Sequence, residues 1–173
     1  HVPLVHATRS AAPLEDGRAL GELVRCFRRL RPAIVHTHNP KPGVYGRIAA
    51  RLAGVPGVVN TVHGLYAQPG DRWRRRAAVY SAERIASICS HAELVQNPED
   101  MATLERIGVP RRKLVLLGNG IDLARFDPSG VEPEARRELR ASIGAGADDV
   151  VVGCVGRLVA EKGYREVFAA ARR

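Results

Sequence analysis

The sequence predicts an α/β protein: a mostly parallel sheet with helices on both faces, followed by the first βα unit of a second domain. Three observations predict it. Short apolar runs alternate with stretches of helical periodicity through residues 1–120, the βαβα pattern that builds a parallel sheet. From Ile121 to Gly130 the periodicity lapses, and Asp127-Pro128-Ser129-Gly130 is rich in turn formers. Beyond it, Val150, Val151, Val152, Cys154 and Val155 form an almost wholly apolar run, which suits a strand buried on both faces. That run breaks at Gly156, and Tyr164, Val167, Phe168 and Ala171 resume at helical spacing. The expected organisation is a first domain over 1–120, a linker over 121–130 and the start of a second domain over 131–173. The chain reads as a fragment: the strand from Asp149 is expected to find its parallel neighbours in sequence after Arg173.

The elements follow in order. Val2–Ala7 is a strand candidate, weakened by Pro3. Leu20, Leu23, Val24, Phe27 and Leu30 mark one face of a helix, whose last turn carries Arg28 and Arg29 and which Pro32 stops. Ala33–His38 is the next strand, and Asn39–Gly43 its proline-rich exit. Val44, Ile48 and Leu52 give a second helix, ended by Gly54 and Pro56. Val58–Val62 is strand-like and runs into His63-Gly64. A long helix spans about Asp71 to Ser90. Ala77, Ala78, Ser81, Ile85 and Ile88 lie on its apolar arc and Arg72, Arg75 and Arg76 on another. Ala92–Gln96 is a strand. Asn97-Pro98-Glu99-Asp100 is a helix start with an N-cap, a proline at N1 and acids in the first turn. Met101, Leu104 and Ile107 form that helix's inner face and Gly108 its C-cap. Lys113–Leu117 is the fifth strand of the first domain, and Ala135, Leu139 and Ile143 mark a helix after the linker.

Composition narrows the function. With 45% hydrophobic residues in 173, the chain can bury a core and is not a disordered tail. The net charge of +9 points to a phosphorylated ligand, an anionic membrane or nucleic acid. Of the 27 basic residues only Lys41, Lys113 and Lys162 are lysines, an arginine bias spread over the whole chain. Aromatic residues make up only 5%, which speaks against a nucleic-acid module. Cys26, Cys89 and Cys154 are odd in number and far apart, as expected of reduced core residues. No Walker loop, Gly-x-Ser-x-Gly elbow or Gly-x-Gly-x-x-Gly fingerprint is present, so P-loop, hydrolase and dinucleotide chemistries lose support.

Ligands of open parallel sheets bind beyond the carboxyl ends of the strands. The unusual residues collect at those expected ends: His36, His38 and Asn39; His63 and Gly64; Gln96 and Asn97; Asn119 and Gly120; Gly156 and Arg157. Arg157 and Lys162 flank a strand-to-helix loop, which suits a diphosphate and equally a solvated basic loop. His36, His38 and His63 have the ligand type for zinc, yet no carboxylate or cysteine completes a set, and hydrogen-bonded structural roles compete. Arg72, Trp73, Arg75 and Arg76 suit an anionic membrane surface as well as a solvated face.

The motifs carry a resemblance. Ile34-Val35-His36-Thr37-His38-Asn39, Asn60-Thr61-Val62-His63-Gly64, Gly118-Asn119-Gly120-Ile121-Asp122 with Phe126, and Gly156-Arg157-Leu158 followed by Glu161-Lys162-Gly163 resemble, in order, family-four retaining glycosyltransferases of the GT-B fold. The resemblance implies a Rossmann-like acceptor-side domain and a second domain that binds a nucleotide-diphosphate sugar, with no metal and no further cofactor. It implies that His63 faces the sugar, that Arg157 and Lys162 hold the donor diphosphate, and that His38, Asn39, Gly64, Asn119, Gly120 and Gly156 line the cleft. A lipid-linked or polysaccharide acceptor follows, with a cytoplasmic enzyme peripheral on the inner face of the membrane. The family's glycine-rich loop and paired glutamates are absent from these residues, and Gly118 stands where proline is common. The chain alone is therefore expected to be inactive. A sugar-nucleotide epimerase of the same architecture and a non-catalytic basic module are the competing readings.

Overall fold

The computed structural model describes all residues except 9–11, 39, 66, 68–69 and 173. The described residues form two compact units, residues 1–120 and 121–173. The first contains α1 (Pro13–Leu30), β1 (Ile34–His38), α2 (Pro40–Ala53), β2 (Gly57–Val62), α3 (Trp73–Cys89), β3 (Ala92–Val95), α4 (Pro98–Arg106) and β4 (Leu114–Leu116). The four strands are all parallel and lie in sequence order, β1-β2-β3-β4.

Two expectations for this unit are corrected. Val2–Ala7 forms no strand. Pro3 has no N–H to give, and the N–H groups of Val5 and His6 are taken by the Glu22 carboxylate on α1, at 3.0 and 3.4 Å. Among the described residues the sheet therefore has four strands and not five. Nor are both faces covered. Because each strand is laid beside the last in one direction, successive right-handed crossovers put their helices on the same face. On that face Val35, Val58, Glu93, Val95 and Leu114 are buried, whereas Ile34, His36, His38 and Val115 on the other face are exposed.

The core is two clusters. Val35, Ala50, Val55 and Val58 pack with Phe27 of α1 under β1 and β2. Val62, Leu65, Val95, Met101, Leu104, Val109 and Leu114 pack with Tyr80 and Ile107 towards β4. Helix α2 lies close on the sheet because its first two turns carry Gly43 and Gly46. A Cβ on Gly46 would come 2.5 Å from Thr37 Cγ2, and one on Gly43 2.9 Å from Asn60 Oδ1. The expected start of α4 is realised, with the Asn97 side chain accepting from the Asp100 N–H at 2.7 Å. Helix α1 starts earlier than the apolar spacing implies. Pro13 opens it, and Asp16 accepts from the Ala12 N–H at 3.1 Å.

Helix α3 faces the reverse of the expected way. Its arc of Ala77, Ala78, Ser81, Ile85 and Ile88 points outward, and Ile85 and Ile88 are exposed. Glu83, Ala86 and Ser87 are the buried residues instead. The cause is a buried ionic network between helix and sheet. Arg47 of α2, 1% exposed, donates to Glu83 at 2.6 Å and to Glu93 of β3 at 2.7 Å. Glu93 also accepts from Asn60 and Ser90, and Thr37 donates to Asn60. A satisfied charged network outweighs a few exposed aliphatic groups, so polarity here goes inward.

The second unit contains α5 (Pro133–Ser142) and α6 (Tyr164–Ala170), with short 3-10 turns at Pro128–Gly130 and Ala160–Lys162. The strand expected at 150–155 is not formed, and Val150 is 92% exposed. A strand exists only through its ladder, and no described segment of this unit supplies a partner. Cys154 is exposed and not a core residue, while Cys26 and Cys89 are half-buried; all three are free thiols. No helix among the described residues is long and apolar enough to cross a membrane.

Candidate functional site

The parallel sheet carries its carboxyl ends to one edge, and there the first unit gathers its unusual side chains. β1 ends at His38, β2 at Val62 with His63-Gly64 next, and β4 at Leu116 shortly before Asn119 and Gly120. The register sets His36 beside Val59 and His38 beside Thr61, so the end of β1 meets His63, which follows β2. His36 and His38 share the exposed face of β1 because side chains alternate along a strand.

The three imidazoles form a connected group. His38 Nδ1 lies 3.0 Å from His63 Nε2. His36 Nε2 lies 2.8 Å from the Thr61 hydroxyl oxygen. The rings of His36 and His38 tilt against each other with centroids 4.3 Å apart, and those of His38 and His63 stack at 5.3 Å. His38 is held below the usual histidine pKa, first by loss of solvent around its ring and then by repulsion from His36 and His63. Among the described residues no group of three His, Cys, Asp or Glu side chains is placed to hold a metal ion. The arrangement is two hydrogen-bonded pairs, Thr61–His36 and His38–His63, joined by the ring contact of His36 and His38, with His63 at its exposed end. Gly64 follows at φ 119°, and among the described residues no heavy atom lies within 4 Å of an added Cβ there.

Asn39 lies outside the described residues. Asn119 and Gly120 are exposed after β4, where Gly118 turns the chain at φ 70°. A cavity of about 460 Å³ runs along the edge of β1 that carries no paired strand, between α1 and α2. Its lining includes His36, His38, Lys41, Tyr45, Leu23 and Phe27. Lys41 Nζ stands 2.7 Å from Asp16 and also donates to Thr8. That ammonium is the main reason the Asp16 carboxyl is held below the usual range.

In the second unit, Gly156, Arg157 and Lys162 occupy one short segment, as the spacing implies. They do not flank a strand-to-helix loop, because no strand precedes them. The segment is held instead by Tyr164, whose hydroxyl donates to the Gly156 carbonyl at 3.0 Å, and by the 3-10 turn over Ala160–Lys162. A Cβ on Gly156 would stand 3.9 Å from the Lys162 aliphatic stem, so that side chain runs alongside the glycine. Arg157 and Lys162 are both exposed.

Sequence reasoning missed the Arg47–Glu83–Glu93 network and the direct pairing of His38 with His63. The network had a signal: Asn60 and Glu93 are polar residues inside otherwise apolar strands, and Arg47 precedes Ile48 in an apolar helix. The pairing had none, since it depends on the register of two strands.

The chain is 32% identical over 155 residues to the UDP-Gal:alpha-D-GlcNAc-diphosphoundecaprenol alpha-1,3-galactosyltransferase of Escherichia coli, covering 89% of this chain and 39% of that protein. It is 28% identical over 168 residues to a capsular polysaccharide biosynthesis glycosyltransferase of Staphylococcus aureus, covering 92% and 42%. The alpha-maltose-1-phosphate synthase of Mycolicibacterium smegmatis is 29% identical over 152 residues, covering 81% and 37%. The chain thus spans about two fifths of the length of these curated relatives. A model of the glycosyl transferase 4-like domain matches residues 1–120, most of the chain and the whole of its first unit, and the chain belongs to that family.

Proposed function

We propose that the protein transfers a glycosyl group from a nucleotide-diphosphate sugar to an acceptor hydroxyl, with retention, and that the acceptor is a lipid-linked or polysaccharide precursor. The observation that carries this reading is the match of residues 1–120 to a glycosyltransferase domain whose sheet edge gathers His38, His63, Gly64, Asn119 and Gly120. The relatives' names support it: a galactosyltransferase for a diphosphoundecaprenol-linked sugar and a capsular polysaccharide glycosyltransferase. They favour transfer over epimerisation and over a non-catalytic basic module.

In this reading residues 1–120 are the acceptor side, 121–130 the linker and 131–173 the start of the donor side. His63 meets the sugar. Arg157 and Lys162 bind the donor diphosphate and stabilise the negative charge that grows on the leaving phosphate, so the residues rather than a metal supply the electrostatics. Asn39 and Gly156 line the cleft with the residues above. The 173-residue chain by itself is inactive, since transfer needs donor and acceptor held in attack geometry by two complete domains.

Membrane attachment is part of the proposal. Arg72, Trp73 and Arg75 are exposed at the start of α3, Trp73 72% so, and Arg76 is half-buried behind them. The Arg74 guanidinium sits 5.4 Å from the Trp73 ring centroid, giving a basic and aromatic surface suited to anionic lipid.

The test is kinetic, in the longer protein. Arg157→Ala and Lys162→Ala each slow turnover by about tenfold or more, because each removes a charge-assisted contact. Wild-type rates in both variants, or strict dependence on added divalent ion, would refute the donor-site assignment.

A further inference from the structure

The His38–His63 contact constrains a proton as well as a position. Two imidazole nitrogens at 3.0 Å need one N–H and one lone pair between them, so that contact holds a single proton. The donor of one ring is thereby tied to the acceptor of the other. The two tautomers are coupled: with the proton on His38 Nδ1 both rings are protonated at Nδ1, and with it on His63 Nε2 both are protonated at Nε2. His38 is itself placed by the strand. Its position beside Thr61 is set by the β1–β2 register, and the ring of His36, anchored at 2.8 Å to the Thr61 hydroxyl, lies against it. The titratable groups bearing on His38 are His36 on its own strand and His63 after β2. Since His63 meets His38 through Nε2, the other nitrogen of its ring, Nδ1, is left to face elsewhere.

We propose that His38 is a positioning residue for His63: it ties the tautomer of His63 to its own and holds the Nε2 edge of that ring, leaving Nδ1 as the nitrogen that meets the sugar. The inference rests on the role given to His63 above. A hydrogen-bonded partner that sets tautomer and ring orientation is the usual means by which a neighbouring residue tunes an imidazole. His36, hydrogen-bonded to Thr61, packs its ring against His38 from behind.

The experiment is a nitrogen-15 correlation spectrum of the imidazoles, taken on the labelled 173-residue chain between pH 6.5 and 8. The expected wild-type spectrum shows His38 and His63 with matched tautomer fractions, both favouring Nδ1–H or both favouring Nε2–H. In His38→Phe, which keeps a ring and removes the nitrogen, the His63 fractions shift away from the wild-type values. His38→Asn puts a polar atom back near the place of Nδ1 and moves them back towards the wild type. Because His38 is on the exposed face of β1, both variants are expected to fold. Unmatched tautomer fractions for His38 and His63 in the wild type, or unchanged His63 fractions in His38→Phe, would overturn the proposal. In the longer protein, His38→Phe lowers kcat by about tenfold or more with KM for the donor unchanged. Adding it to His63→Ala costs nothing further, whereas a second multiplicative loss would mean that His38 acts on its own and would overturn the positioning role. Wild-type transfer by His63→Ala would instead remove the role assigned to His63 under the proposed function. The tautomer measurement would still decide whether one ring governs the other.

Discussion

Replacing Arg47 with Met tests what holds the first unit together. Arg47 and Glu93 are each 1% exposed and Glu83 is 6% exposed, so one buried cation stands between two buried carboxylates. Attraction to Glu93 and Glu83 lifts the Arg47 pKa despite the burial that would lower it. Burial raises the Glu83 carboxyl, with Arg47 opposing and Glu93 adding to the rise. Removing one partner of a buried pair costs about 3–5 kcal/mol, because the remaining charge is left without compensation. Here two are left, and Glu93 keeps its bonds from Asn60 and Ser90 while Glu83 loses its bond to Arg47. The upper half of that range is expected at pH 7. With a urea slope of about 2 kcal/mol/M, the midpoint falls by about 2 M, read by circular dichroism at 222 nm.

The same substitution makes stability more dependent on pH. A carboxyl whose folded pKa is raised binds its proton more tightly when folded. Its stabilising contribution is complete below the unfolded pKa and is lost as pH rises through the folded one. Loss of Arg47 takes away the groups that lower the Glu83 pKa, so the folded value rises further. The destabilisation should therefore be smaller at pH 5 than at pH 8. Pairing Arg47→Met with Glu83→Met should recover at least about 1 kcal/mol, since the two residues are directly coupled. A loss below about 1 kcal/mol, or one unchanged between pH 5 and pH 8, would refute the view that this network is ionised and buried.

Gly46→Ala should destabilise the first unit by about 1–3 kcal/mol in urea titration, because its Cβ would lie 2.5 Å from Thr37 Cγ2 and must push α2 off β1. Asn97→Ala should cost about 1 kcal/mol through loss of the cap bond to the Asp100 N–H, read by the same titration. Hydrogen exchange read by mass spectrometry should show slow amides around Val35, Val59 and Val95 and fast ones after Asp127, where neither α5 nor α6 has a buried residue. Changing Arg72, Arg75 and Arg76 to Glu should abolish co-flotation with vesicles containing anionic lipid; equal flotation would dispose of the membrane surface.

Alternation of apolar runs with helical spacing was enough to place β1 to β4 and the helices between them. Each of these elements has a strong local signal: Ile34-Val35, Val58-Val59 and Leu94-Val95 in the strands, and Asn97-Pro98 at the start of α4. The residues at the strand ends were legible for the same reason, since a parallel sheet brings its carboxyl ends together whatever the loops do. Long-range pairing decided the rest. Val2–Ala7 and Val150–Val155 have the composition of strands, but a ladder needs a neighbour, and sequence periodicity says nothing of whether one is there. The outward turn of Ile85 and Ile88 on α3 was equally hidden. Apolar residues specify an inner face only when no stronger claim competes, and Glu83 is drawn inward by Arg47, which lies on another helix. The His38–His63 bond belongs to the same class. The residue types are visible in the chain, but only the β1–β2 register brings their nitrogens within 3.0 Å, and on that distance the proton between them depends.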